Sequence, residues 1–226
     1  AGIRNAVITE KEAMAYAECN NYEKAYEKLE SLLCMEEARF SVRAMEQFCN
    51  IQAKLCVKNW KAGIEKNRQI QYMQQAIHNL TELMNMSPTA ERLSIMGSAF
   101  KRKMIIDNSD KEKIMSLMMA ADFYRQAYEK EANNNKAYAL TNWLEIEKIL
   151  LLVKNLPGAK ATIKKYPFND LSKAKADLKL LLEQNTDPDN DMDYWSEISQ
   201  ANAALCCWLL EGGNSKLITE AKVVEA

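Results

Sequence analysis

The chain has 226 residues, 48% of them apolar and 27% charged, with a formal net charge of −1. That balance argues against a generally basic nucleic-acid binder and against an acidic tail. Ala, Leu, Glu, Lys and Met dominate and favour helix, Val is scarce, which disfavours a large sheet, and the longest aliphatic run, ILLLV at 149–153, is too short to span a bilayer.

Ten helices are predicted. The first runs near 8–20, with Thr9 and Glu12 spaced as a capping box, and Asn20-Asn21 breaks it. The second runs near 22–35. The next two cover about 37–57 and 63–86, followed by 89–106 and 110–132. Ser87 and Pro88 suit the start of 89–106 as cap and first-turn proline. Ser109 and Glu112 suit the start of 110–132 as a second capping box. A fourth pair, 134–154 and 170–185, is separated by NLPGAK and YPFND. The last pair, 192–211 and 215–226, is separated by Gly212-Gly213.

A half-motif recurs along these helices. A small residue, a large one four positions on, and an apolar or small one at +7 occur at Ala25/Leu29/Leu32 and Ala76/Leu80/Leu83. They occur again at Ala120/Tyr124/Ala127 and Ala174/Leu178/Leu181. The +4 and +7 offsets share one helical face, and the small residue lets a neighbouring helix approach closely. The anchors are 51, 44 and 54 residues apart, so the repeat is a stretched one.

These residues resemble the tetratricopeptide repeat family. In AMAYAECNNYEKAYEKLESLL (13–33), Ala13 and Tyr16 match the first helix, Asn20 stands at the turn glycine, and Tyr22, Ala25, Leu29 and Leu32 match the second helix. Gly97 and Phe100 of SIMGSAF repeat the first-helix signature, AADFYRQAYEKEA (120–132) repeats the second, and Pro88 matches the proline that closes a repeat. About eleven extra residues lie between Gly97 and Ala120, and about twenty between Asn142 and Ala174, relative to a standard repeat. Stretched units of this kind, with ERLSIMGSAFKRK at 91–103, are similar to the sensor-type tetratricopeptide domains of bacterial signalling and defence proteins. Those are related to the regulatory region of the apoptosis signal-regulating kinases. They are often fused to caspase-like peptidases or other effectors, which implies an effector in the same polypeptide.

The resemblance implies an all-α, right-handed α-solenoid of about five antiparallel helix pairs, a single domain over 1–226. First helices then line a concave groove. The family's inward positions, carried onto this chain, are Glu10, Met14 and Glu18 in the first unit, Ser94, Ser98, Lys101 and Arg102 in the third, and Ala139 and Trp143 in the fourth. Glu10 and Met14 stand where the Lys and Asn of a chaperone-tail clamp are expected, so binding of such a tail is disfavoured.

Other chemistry has little support. The one histidine, His78, lies on a helix without a G-x-S-x-G or an evident cysteine partner, so no catalytic residue is assigned. Asp187, Asp189, Asp191 and Asp193 have calcium-loop spacing, but Met192 and Ile198 occupy the positions that need glycine and glutamate. The plainer reading is an acidic loop ahead of a helix, and no metal is assigned. No phosphate-binding glycine loop is present and no cofactor is expected. Lys160, Lys164, Lys165, Lys173, Lys175 and Lys179 make 155–179 locally basic, and a solvated face is the plainer reading. Trp60, Trp143, Trp195 and Trp208 read as packing between helices, and MSLMMA and LMNM as gap-filling or adaptable methionines.

The six cysteines, Cys19, Cys34, Cys49, Cys56, Cys206 and Cys207, lie mostly among apolar residues and read as buried free thiols. That implies a reducing, cytoplasmic setting. The start at Ala1-Gly2 and the end at EAKVVEA lead to the expectation of a piece of a longer protein. The expected function is a non-catalytic interaction or sensor module. It binds a protein, peptide or small signal and regulates an effector, as a monomer or weak dimer, with no membrane or nucleic-acid partner. An RNA-binding helical repeat and a cysteine-based enzyme are the alternatives.

Overall fold

The computed structural model describes residues 2–34, 40–131, 136–184 and 194–212, and its described residues form ten helices and no strand. These are α1 (Gly2–Glu18), α2 (Tyr22–Leu33), α3 (Val42–Lys61), α4 (Lys66–Met86), α5 (Ala90–Ile106), α6 (Asp110–Lys130), α7 (Ala137–Val153), α8 (Pro157–Ile163), α9 (Ser172–Gln184) and α10 (Tyr194–Leu210). The fold is an all-α arrangement of packed helix pairs. Two compact units divide it, Ala1–Ser116 and Leu117–Ala226, with the boundary inside α6.

In the first unit each helix packs on the next from α1 to α5, and α3 also packs on both α1 and α5. Short connectors between mutually packed helices force them antiparallel. Alternate helices α1, α3 and α5 therefore lie side by side as one layer. The small residues act as expected, since Ala13, Ala25 and Ala76 are all fully buried. Leu29, Leu32 and Ile51 fill the space around the first of these contacts. Phe48 stacks on Tyr26 at 5.0 Å and meets Phe40 edge-on at 6.3 Å. In the second unit α10 packs on α7 and α9, and α7 on α8 and α9. Tyr124, Leu140, Leu144, Leu150 and Leu178 form its fully buried interior.

Capping chemistry sets several boundaries. Asn20 adopts φ +57°, doing the work of a turn glycine, and Asn21 caps α2 by accepting from the Lys24 N–H. Ser109 and Glu112 form the reciprocal capping box at α6: Ser109 N donates to Glu112 Oε2 at 3.1 Å, and Glu112 N to Ser109 Oγ at 3.2 Å.

Four expectations need correction. Thr9 does not start α1, because the helix begins at Gly2 and already buries Ala6; Glu12 instead pairs with Lys28 of α2 at 2.7 Å. Ser87 does not cap α5; it closes α4 through its N–H to Leu83 O, and Thr89, after Pro88, is the cap. The expected break at NLPGAK is itself a helix, α8, because Pro157 occupies the first position, where no N–H is needed. Cys19 and Cys34 are exposed; the other four cysteines are buried, and all six are free. The helix expected at 215–226 and the aspartates at 187–193 lie outside the described residues.

Candidate binding surface

The first-unit groove positions fall on α1 and α5, and α3 lies between them. Glu10 is half-buried and accepts a hydrogen bond from Ser41 Oγ at 2.6 Å, tying α1 to the start of α3. Ser41 also caps α3 by accepting from the Ala44 N–H. Met14 packs against the core cluster, whereas Glu18 is exposed. On α5, Ser94 and Lys101 are half-buried.

Ser98, Arg102 and Asn50 are brought together. Arg102 Nη1 donates to Ser98 Oγ at 2.5 Å, one helical turn back, and to Asn50 Oδ1 of α3 at 3.4 Å. Both acceptors are neutral oxygens. Arg102 forms no ion pair with any carboxylate among the described residues, so a half-buried positive charge is held in place without a counter-charge. Asn50 escaped the sequence reasoning because its contact with Arg102 spans 52 residues.

Arg92 on the same helix has a different role. Its Nε donates to Glu46 Oε1 at 2.6 Å, and its Nη1 to Leu83 O and Ser87 O, so it closes α4 against α3 and α5. A second local pair joins Lys103 and Asp107 at 2.5 Å, with Ser116 donating to Asp107 at 2.6 Å.

Ala139 and Trp143 are not available at a groove. They are 5% and 4% exposed and belong to the interior of the second unit. Trp143 contacts Tyr128 at 5.6 Å, and its Nε1 donates to Glu147 Oε1 at 3.2 Å. Glu147 is fully buried and organises a polar centre that the sequence did not suggest. Its Oε1 also accepts from Tyr166 OH at 2.9 Å and Asn169 Nδ2 at 3.0 Å, while Oε2 is buried without a hydrogen-bond partner. Burial, and then Glu147 itself, push the Tyr166 hydroxyl upward, which keeps it a donor.

His78 is exposed on α4. Burial pushes the thiols of Cys49, Cys56 and Cys206 up to about 12, and Cys206 Sγ donates weakly to Thr141 O at 3.8 Å. Thiols held protonated in apolar surroundings are poor nucleophiles.

The packed helix pairs, the small-residue contacts and the side-by-side layer of α1, α3 and α5 define a tetratricopeptide-type helical repeat protein. The family model for Tetratricopeptide Repeats-Sensor matches residues 21–151, more than half of the chain, and the chain belongs to that family. No curated protein and no solved structure gives a significant match. Among the described residues no helix is long and apolar enough to cross a membrane.

Proposed function

We propose that the protein is a non-catalytic interaction module, or sensor, of a reducing cytoplasm. It binds an acidic group of a peptide or protein on the α1–α3–α5 layer and regulates an effector in the same polypeptide. Arg102 carries this proposal. A guanidinium already fixed by Ser98 and Asn50 loses little freedom on binding, and among the described residues no carboxylate forms an ion pair with it. Ser94 and Lys101 extend the surface along α5, and Met14 offers an adaptable apolar contact on α1. Glu10 and Glu18 give the α1 end the opposite charge, so a bound segment is oriented as well as held.

The test selects peptides from a random display library on the full chain and measures their affinity by calorimetry. Arg102→Glu with Lys101→Glu should leave the melting temperature within a few degrees and weaken the selected peptides by about tenfold or more, the scale of a charged hydrogen bond. Selected peptides whose affinity survives the double reversal would overturn the assignment of this surface.

A further inference from the structure

Residues 152–184 follow the part of the chain that the family model matches, and they carry a charge pattern of their own. Seven lysines, from Lys154 to Lys179, stand against three carboxylates, a local +4 in a chain whose total is −1. All seven are exposed, and among the described residues none takes part in an ion pair. Two of the three carboxylates bond neutral donors rather than lysines. Asp170 accepts from the backbone and hydroxyl of Ser172 at 2.9 and 2.6 Å, and Asp177 accepts from Tyr128 OH at 2.6 Å.

Apolar side chains are interleaved with these charges. Leu152 is 66% exposed, Leu156 55%, Leu180 52% and Phe168 37%. The stretch is also held firmly. Ala159 and Ile163 bury the inner side of α8, and Ala174 and Leu178 that of α9. The connector between the two helices is fastened to α7 by the Tyr166 and Asn169 bonds to buried Glu147. Lysine ends on a fastened base lose less entropy on binding than those on a free loop.

We propose that residues 152–184 form a second docking surface that holds an acidic peptide segment carrying apolar anchor residues. The unpaired lysines supply the complement to its carboxylates, and the exposed leucines and Phe168 the complement to its anchors. The composition selects this partner over two others. The stretch contains no arginine, whose fork suits phosphate geometry. Phe168 meets Tyr166 edge-on at 5.1 Å and has Lys154 Nζ 5.8 Å from its ring, so it is no open stacking platform for bases. A membrane surface calls for a continuous apolar stripe on one helical face, whereas α9 sets its exposed Leu180 among Lys173, Lys175 and Lys179.

Fluorescence anisotropy on the full chain tests this with four probes: a labelled 15-residue peptide of Glu and Asp with Leu or Phe at every third or fourth position, a Glu-only peptide of equal charge, a single-stranded RNA of equal charge, and vesicles of anionic lipid. The apolar-bearing peptide should bind in the micromolar range and more tightly than the other three. Lys164→Glu with Lys165→Glu should weaken it by about tenfold, while Arg102→Glu leaves it unchanged, which separates this surface from the α1–α3–α5 layer. Glu147→Gln removes no lysine, and it should both weaken the peptide by a few-fold and speed amide exchange at 164–171. Tighter binding of RNA or vesicles, no binding of the peptide below millimolar concentration, or an affinity indifferent to the lysine reversals would each overturn the proposal.

Discussion

Arg92→Ala is expected to be the most damaging single truncation of a charged side chain in the first unit. The Arg92 and Glu46 side chains are 12% and 9% exposed and meet at 2.6 Å. Removing the guanidinium strands the Glu46 carboxylate in a site closed by α3 and α5, and breaking one side of a buried pair costs about 3–5 kcal/mol. The two carbonyls that Arg92 also binds matter less. Ser87 is exposed, so water replaces that bond, and Leu83 O accepts from the Ser87 N–H as well. The expected loss is therefore about 3–5 kcal/mol, and Glu46→Ala should cost less, because Arg92 retains its two carbonyl acceptors and the wetter end of the site. The double variant should lose clearly less than the sum of the two single ones. Urea melts followed by far-ultraviolet circular dichroism give the totals. Hydrogen exchange then locates the loss, which should concentrate in α3–α5 and spare α7 and α10. A loss under about 1 kcal/mol, or additive single variants, would show that the pair behaves as a solvated surface contact.

Ala76→Trp should destabilise by about 1–3 kcal/mol or more, because Ala76 is fully buried where α4 meets its neighbours, while His78→Ala should stay within about 0.5 kcal/mol; equal urea midpoints would refute this. Ser109→Ala should cost about 1 kcal/mol through loss of the α6 cap, measured by thermal melting, and Ser109→Thr should recover most of it. A thiol reagent at pH 8 should label Cys19 and Cys34 rapidly and the four buried cysteines only on unfolding; six fast thiols would contradict the burial. Stability should also fall at alkaline pH. Cys49, Cys56 and Cys206 keep their protons to about 12 when folded, against an ordinary value of 9.0. The unfolded state therefore binds fewer protons between those values, and each thiol removes up to about 1.4 kcal/mol per pH unit in that window. An unfolding free energy flat from pH 8 to 10.5 would refute it.

The sequence by itself determined what depends on neighbours within a turn or two of helix. Ala25, Leu29 and Leu32 share a face because of the 3.6-residue period, and all three are buried. The Ser109–Glu112 box and the Asn20-Asn21 turn are likewise local, because a side chain there answers a backbone group no more than three residues away. Even locally, competition can defeat such a reading: Thr9 has a cap's spacing, but Ala6, buried ahead of it, keeps the helix going.

Tertiary structure alone decided the polar centres. Glu46 and Arg92 are 46 residues apart, Asn50 and Arg102 are 52, and Glu147 meets Asn169 across 22. Nothing in the helical period says which of several glutamates turns inward, because a buried carboxylate is tolerated only where distant donors converge on it. Trp143 shows the same limit. Its position along α7 fitted a groove-lining residue, and it became interior because Tyr128 and Glu147 close over it.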